Sequence, residues 1–116
     1  MNRITTTTQK NALGIDDRRD LRQCRVLCRD YWSGIEALKY MGPWDILYLD
    51  HDLHCWENNR EYTGYDLICW IEEQVALCNR EVLPGNIECV SDNPSGRARI
   101  QQVIDKLYKR GQFNVE

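Results

Sequence analysis

The sequence lacks any hydrophobic segment long enough to cross a membrane. Its longest apolar runs, Ile46–Leu49 and Leu67–Ile71, are far shorter than the roughly 20 residues that a membrane-spanning helix needs. Residues 1–10 have no apolar stretch of the kind found in secretory signals, so a cytoplasmic protein is expected. Repeats and Pro/Gly/Ser-rich linkers are also missing. The 116 residues therefore predict one domain over 11–116, preceded by a loose N-terminal arm at 1–10.

Paired C-x2-C hooks are absent too, although the chain has six cysteines. An even number suits a disulfide framework, but the chain is larger than such scaffolds and has no secretory context, which favours reduced thiols. Cys69, Cys78 and Cys89 lie in apolar patterns and are predicted to be core thiols. A zinc site is a weaker alternative that would draw on histidine and cysteine side chains: His51, His54, Cys24, Cys28 and Cys55.

Charge is spread unevenly along the chain. Residues 1–40 carry 8 basic and 5 acidic side chains, residues 41–92 carry 2 and 11, and residues 93–116 carry 5 and 2. A duplex-DNA-binding protein would present one broad basic face, so this class is not expected. An acidic middle with basic flanks is compatible with a metal ion in an acidic pocket rimmed by arginines. A solvated surface of uneven charge is the plainer interpretation.

Short apolar runs predict the strands of the domain. Four of them, Ala12–Ile15, Val26–Cys28, Ile46–Leu49 and Ile87–Val90, are continuous rather than alternating, which is typical of buried parallel strands. A weaker fifth run at Phe113–Val115 predicts an edge strand.

Three helices are predicted between and after these strands. Ser33, Thr63 and Ser95 are the predicted N-caps, and Asp66 completes a capping box with Thr63. Gly111 is the predicted stop of the last helix. The apolar faces are Ile35, Leu38 and Met41; Leu67, Ile68, Ile71, Val75 and Cys78; and Ile100, Val103, Ile104 and Leu107. Strands alternating with helices predict an α/β domain with a mainly parallel sheet, whose link from Asp16 to Cys24 is too short for a crossover helix.

Polar clusters follow three of the predicted strands. They are Asp16-Asp17, Asp50-His51-Asp52 and Ser91-Asp92-Asn93. Ligands of open parallel sheets bind beyond the carboxyl ends of the strands, so we expect the clusters to meet at one edge. Asp16, Asp17 and Asp50 offer hard oxygen ligands and predict a divalent metal site, most simply for Mg²⁺. The alternative is that the aspartates only form turns.

His51 and Asp52 are the candidate acid–base residues beside a bound phosphate. The plainer alternative for His51 is a loop histidine held by a neighbouring aspartate. Trp56 and Tyr62 lie in the polar segment Leu53–Tyr62, which we interpret either as a lid that stacks on a base or as a loop packed on the domain.

The turn Ser91–Arg97 leads from a strand into a helix and predicts an anion site at the helix N-terminus. Gly96 permits close approach of the backbone, and Arg97 could clamp a phosphate through two donors. Arg18 and Arg19 follow the first acidic pair and could also reach the rim. A plain strand–turn–helix is the alternative.

The sequence resembles the receiver-like family named for cyclic-phosphate processing over Leu13–Leu107. The resemblance is carried by four motifs in this order: IDDRR, WDILYLDHDL, TGYDLICWIEE and ECVSDNPSGRARI. This resemblance implies a three-layer, flavodoxin-like sandwich of four to five strands with a shortened first crossover. It also implies activity on cyclic-phosphate nucleotides or RNA ends. Asp16 and Asp17 then correspond to the receiver acidic pair, Asp50 to the phosphoacceptor and Ser91 to the hydroxyl position. His51, Asp52, Asn93 and Arg97 are the residues that distinguish the family.

Three functions are compatible with these features. The first is a phosphoesterase: a divalent ion on the acidic residues, His51 and Asp52 as acid–base groups, and Ser91, Asn93 and Arg97 on the anion. The second is a binding module that sequesters a cyclic nucleotide, for example as a phage counter-defence protein. The third is a degenerate receiver acting through protein contacts. Ordinary receivers place a lysine after a fifth strand, and no lysine follows Phe113–Val115 here, which argues against phosphorelay.

Overall fold

The computed structural model of the protein describes residues 11–109. The predicted arm at 1–10, the strand at Phe113–Val115 and the stop at Gly111 lie outside these residues. Within them the strands are β1 Ala12–Ile15, β2 Val26–Cys28, β3 Ile46–Leu49, β4 Cys55–Glu57, β5 Arg60–Tyr62 and β6 Asn86–Cys89. The helices are α1 Tyr31–Tyr40, α2 Gly64–Ala76 and α3 Pro94–Leu107, with a 3-10 turn at Arg80–Val82.

Four of the strands form one parallel sheet in the order β2-β1-β3-β6. Leu13 pairs with Val26 on one side and with Leu47 on the other, and Leu47 pairs in turn with Ile87. The α/β class and the parallel sheet predicted from the sequence are confirmed. The link from β1 to β2 contains no helix, as its length predicts.

The three helices pack together against one face of the sheet, because α1 and α3 both contact α2. On the opposite face Gly14 is covered by the β1–β2 link, where Leu21 and Cys24 leave no room for a Cβ atom. The core between sheet and helices is built mainly from aliphatic side chains: Leu13, Ile15, Leu38, Leu47, Leu49, Leu67, Ile68, Ile71, Ile87, Ile100 and Ile104.

Two of the three predicted N-caps are wrong. Asp30 caps α1, since its carboxylate accepts the Ser33 N–H, so the helix begins before Ser33. Asn93 caps α3, and Pro94 occupies the first helical position, where its missing N–H costs nothing. Thr63 does cap α2, and its capping box with Asp66 is confirmed.

The segment Leu53–Tyr62 is not an irregular loop, because Cys55–Tyr62 within it forms a hairpin of β4 and β5. Asn58 and Asn59 both have positive φ angles, 55° and 63°. Two adjacent left-handed residues form the tight turn that joins antiparallel strands, and asparagine tolerates this conformation better than most residues. The Asn-Asn pair was therefore an available hairpin signal. The last sheet strand also begins and ends one residue earlier than predicted, at Asn86 and Cys89.

The predicted core role fails for Cys78. Helix α2 ends at Ala76, and Cys78 has a φ of 71° and an exposed side chain. Cys69 and Cys89 are half-buried, and all six cysteines are free thiols in the structure. Met41, also placed on an apolar face, is 45% exposed just beyond α1. No helix within residues 11–109 is long and apolar enough to cross a membrane.

Candidate functional site

The carboxyl ends of three neighbouring strands bring the polar clusters together, as the parallel arrangement predicts. Asp16 follows β1, Asp50 follows β3 and Ser91 lies shortly after β6. The strand ends are tied by backbone bonds from Asp50 N to the Ile15 carbonyl and from Val90 N to the Leu49 carbonyl, both 3.0 Å. Asp16, Asp50 and Ser91 are only 0%, 3% and 2% exposed. Polar side chains buried this deeply need partners inside the site.

Asp16, Asp17 and Asp50 form what we call the acidic cluster. One carboxylate oxygen from each lies within 4.8 Å of the others. Asp17 is less buried than the other two, and its Oδ2 lies 2.7 Å from Nδ1 of His54. His54 directly precedes the hairpin, so this contact ties the hairpin to the acidic cluster. The Asp17 carboxylate raises the pKa of His54 through this hydrogen bond and its charge.

Arg19 lies against the acidic cluster, whereas the sequence analysis placed Arg18 and Arg19 alike at the rim. Its Nη1 is 3.0 Å from Oδ2 of Asp16 and 3.4 Å from Oδ2 of Asp50, and its Nη2 is 2.7 Å from Oδ2 of Asp92. Arg18 instead points outwards, with a 70% exposed side chain whose Nη2 is 3.5 Å from Asp92. The IDDRR motif contains both arginines, and only the geometry distinguishes them.

The two buried carboxylates of the acidic cluster differ in their support. Burial alone would raise the pKa of Asp16, but hydrogen bonds from the Arg19 and Arg18 N–H groups and the Arg19 guanidinium hold it below the ordinary value. Burial raises the pKa of Asp50, the Asp16 charge adds to this, and Arg19 and Ser91 offset it only in part. Of these two carboxylates, Asp50 is therefore the one whose burial is less fully offset.

A divalent cation fits this arrangement. Carboxylate oxygens are the ligands that Mg²⁺ prefers, and two of the three carboxylates are buried. Burial and the Asp16 charge raise the pKa of Asp50, so this carboxylate would gain from a nearby cation. Asp16, Asp17 and Asp50 would hold the ion. Within the described residues this is the group of acidic, histidine or cysteine side chains close enough together for a metal.

A second network surrounds His51. Its Nδ1 lies 2.7 Å from Oδ1 of Asp52, and Nδ2 of Asn93 donates to the same carboxylate at 3.3 Å and 3.4 Å. The hydrogen bond with His51 lowers the pKa of Asp52, and Asn93 reinforces this effect. We call these three residues the His51 network. An ionised Asp52 that accepts the Nδ1–H of His51 fixes the orientation of the imidazole.

Two glycines hold His51 in place. A Cβ atom on Gly96 would overlap the His51 ring, and a Cβ atom on Gly64 would overlap the Asp50 carbonyl. The Gly64 N–H also donates to the His51 carbonyl at 2.8 Å. The N-termini of α2 and α3 therefore pack directly on either side of His51, which is 9% exposed. Gly96 therefore lies directly against the imidazole ring.

Several donors of the turn Ser91–Arg97 are satisfied within the turn itself. Asn93 Oδ1 accepts the Gly96 N–H at 3.0 Å, and the Asn93 carbonyl accepts the Arg97 N–H at 2.8 Å. Ser91 Oγ accepts the Asn93 N–H at 3.0 Å. Arg97 Nη1 donates to the Ser91 carbonyl at 3.1 Å, so its guanidinium braces the end of β6. The anion-binding roles of Ser91, Gly96 and Arg97 remain predictions.

Arg29 supports the site although the sequence analysis did not single it out. Arg29 Nη1 donates to the carbonyls of Asp16 and Arg19, at 3.1 Å and 2.7 Å, and so holds the segment carrying the acidic cluster. Trp56 on the hairpin is 62% exposed. Tyr62 packs against Tyr31 with ring centroids 4.9 Å apart. Of the two proposed stacking residues, only Trp56 presents a largely exposed ring.

Comparison with protein families matches residues 11–106 to the Cyclic-phosphate processing Receiver domain. The chain belongs to this family. The match covers the whole parallel sheet and both networks at its carboxyl edge, and it confirms the resemblance carried by the four motifs. Neither the curated proteins nor the solved structures contain a significant match to this receiver domain.

Proposed function

We propose that this receiver domain processes a cyclic phosphate, carried by a nucleotide or an RNA end, with the help of a divalent cation. The reaction would be hydrolysis or ring opening. The observation that carries the proposal is that a cation-compatible acidic cluster and a fixed histidine follow the same strand, at Asp50 and His51.

Asp16, Asp17 and Asp50 would hold the cation, most simply Mg²⁺. When bound, such an ion neutralises phosphate charge and activates water. Asp50 supports this role because its pKa is raised by burial, which indicates a carboxylate short of positive charge.

His51 would be the acid–base group that transfers a proton during hydrolysis or ring opening. Asp52 would keep the imidazole oriented, and Asn93 would position Asp52 without contacting the substrate. The 2.7 Å contact between His51 Nδ1 and Asp52 Oδ1 supports this assignment, as does the packing of Gly96 on the ring. Proton transfer by a positioned histidine contributes about 10²–10⁴-fold to a rate.

The phosphate and its nucleoside would lie outside the strand ends. Arg18, 70% exposed at the rim, would contact the anion, and the Ser91–Arg97 turn would border it. Trp56 on the hairpin is available for a base to stack on. We place this activity in the cytoplasm, where free thiols like those of this chain persist.

The test is incubation with a panel of cyclic mono-, di- and trinucleotides and RNA ends bearing cyclic phosphates. The protein is incubated with each ligand in Mg²⁺ or in EDTA, and the mass of the recovered ligand is measured by mass spectrometry. We expect at least one ligand to gain the mass of one water in Mg²⁺ only. Return of every ligand unchanged would contradict the enzyme proposal.

A binding module is the second candidate, and Arg19 favours it. Its guanidinium already supplies a positive charge to Asp16 and Asp50, so a ligand site could exist without metal. This candidate predicts tight binding of a cyclic nucleotide in EDTA, with the ligand recovered intact.

A further inference from the structure

Arg19 connects the buried and the exposed carboxylates of the site. Nη1 faces Asp16 and Asp50, which are buried, whereas Nη2 is 2.7 Å from Asp92, whose side chain is 82% exposed. The Arg19 side chain itself is 24% exposed. It therefore extends from the interior of the acidic cluster to its mouth.

The oxygens of Asp16 are all in use. Oδ1 accepts the N–H groups of Arg18 and Arg19 at 2.9 Å and 2.8 Å, which shapes the backbone after β1. Oδ2 accepts Nη1 of Arg19 at 3.0 Å. A cation bound by Asp16 without unfolding this turn must therefore take Oδ2, the oxygen that Arg19 contacts. A guanidinium and a divalent cation on one oxygen would also repel each other.

We propose, on the basis of the cation site in the proposed function, that Arg19 is a resident cation that a divalent ion displaces from Asp16 and Asp50 towards Asp92. Without the ion, Arg19 supplies positive charge to the two buried carboxylates. With the ion, the guanidinium keeps Asp92 as its partner at the mouth of the site.

Asp92 makes this movement short. It lies outside the acidic cluster, is mostly exposed, and already contacts both Arg19 and Arg18. A long arginine side chain can withdraw from Asp16 and Asp50 while its other terminal nitrogen stays on Asp92. No backbone change is needed, because the Arg19 N–H to Asp16 Oδ1 bond is separate from the guanidinium contacts.

Competition between Arg19 and the ion predicts the direction in which metal affinity changes when Arg19 is replaced. Arg19→Gln removes the resident charge, so it should bind Mn²⁺, a probe of Mg²⁺ sites, roughly tenfold more tightly or better. Its melting temperature in EDTA should fall, because Asp16 and Asp50 lose their counter-charge, and metal should restore it. Arg19→Lys retains the charge but lacks the two-nitrogen fork, and its affinity should be intermediate.

Arg22→Gln is the matched control. It makes the same charge change three residues away, on a side chain that is 88% exposed and paired with Asp20. Its Mn²⁺ affinity should equal that of the wild type. A general effect of net charge would instead shift both glutamine variants together, and that result would overturn the inference.

The experiment is a Mn²⁺ titration of the four proteins by electron paramagnetic resonance, with thermal unfolding in parallel. If Arg19→Gln is unfolded in EDTA, the Mn²⁺ concentration that restores its melting transition gives its affinity. Equal or weaker Mn²⁺ binding by Arg19→Gln, while the wild type binds, would overturn the displacement and leave the cation site intact. Absence of binding to both would overturn the displacement together with the metal part of the proposed function.

Discussion

The two sides of the site are stabilised in different ways. On one side the acidic cluster gathers carboxylates at the ends of β1 and β3, with Arg19 as the guanidinium that contacts both buried ones. On the other side the His51 network and the Ser91–Arg97 turn are closed by short hydrogen bonds among themselves and with the backbone. The first side contains Asp50, whose pKa is raised by burial, whereas the polar groups of the second side are partnered with one another. We propose that a cation binds to the first side and that the second side supplies a rigid frame.

The largest expected effect is on the rigid side. His51→Ala should lower turnover of any processed ligand by about 10²–10⁴-fold, because it removes the proton-transfer group. Its melting temperature should fall only modestly, because the ring lies against Gly96 and is not part of the hydrophobic core cluster. Turnover is measured by mass and folding by calorimetry. Unchanged turnover with a collapse in stability would make His51 a structural histidine.

The acidic side should respond unequally to loss of its two buried carboxylates. Asp16→Asn breaks a buried ion pair and should cost about 3 kcal/mol of unfolding free energy in EDTA. Asp50→Asn removes a carboxylate whose pKa is raised by burial, so stability without metal should stay level or rise. Chemical denaturation of both variants measures the difference. Equal losses would show that the two aspartates are supported alike.

Gly96 tests how tightly the rigid side is packed. Gly96→Ala places a methyl group on the His51 ring and should cost about 1–3 kcal/mol while reducing turnover. Ser95→Ala is its neighbour control, since Ser95 is exposed and its hydroxyl contacts only the Asn93 side chain. If both variants behave like the wild type, Gly96 does not position the histidine.

The smallest expected effect is on the dependence of stability on pH. Burial raises the folded-state pKa of Asp50 above the ordinary 3.8, so the folded protein retains a proton that the unfolded chain has released. The contribution of Asp50 to the free energy of unfolding is fully present below about pH 4 and is lost as the pH rises through the folded-state pKa. The loss is about 1.4 kcal/mol for each unit by which the folded-state pKa exceeds the unfolded-state pKa. In EDTA, the stability of Asp50→Asn should therefore increase relative to that of the wild type as the pH rises over that interval. A constant difference across pH would contradict the assignment.

The sequence predicted the strands of the parallel sheet more accurately than it predicted where the helices begin. Continuous apolar runs such as Ile46–Leu49 identify buried parallel strands almost to the residue. Ser33 and Ser95 were misread as caps, because Asp30 and Asn93 are equally good caps and only the backbone angles decide. The hairpin was missed although Asn58-Asn59 marks its turn.

Site prediction was limited by side-chain direction. Parallel strand ends predict that Asp16, Asp50 and Ser91 meet, since topology alone brings them to one edge. Topology does not say which of two adjacent arginines turns inwards, and Arg19 rather than Arg18 does so. Nor does it reveal that the Arg97 side chain is bonded to the Ser91 carbonyl. Such choices depend on packing that a single sequence does not encode visibly.

The most direct test of a cation on the acidic side is equilibrium binding of Mn²⁺ to the wild type and to Asp50→Asn. Glu57→Gln, an exposed carboxylate of the hairpin, is the control for lost charge. The account predicts one bound ion per wild-type chain, unchanged binding by Glu57→Gln, and loss of that ion in Asp50→Asn. Wild-type protein that binds no ion, or Asp50→Asn protein that binds it equally well, would contradict the account.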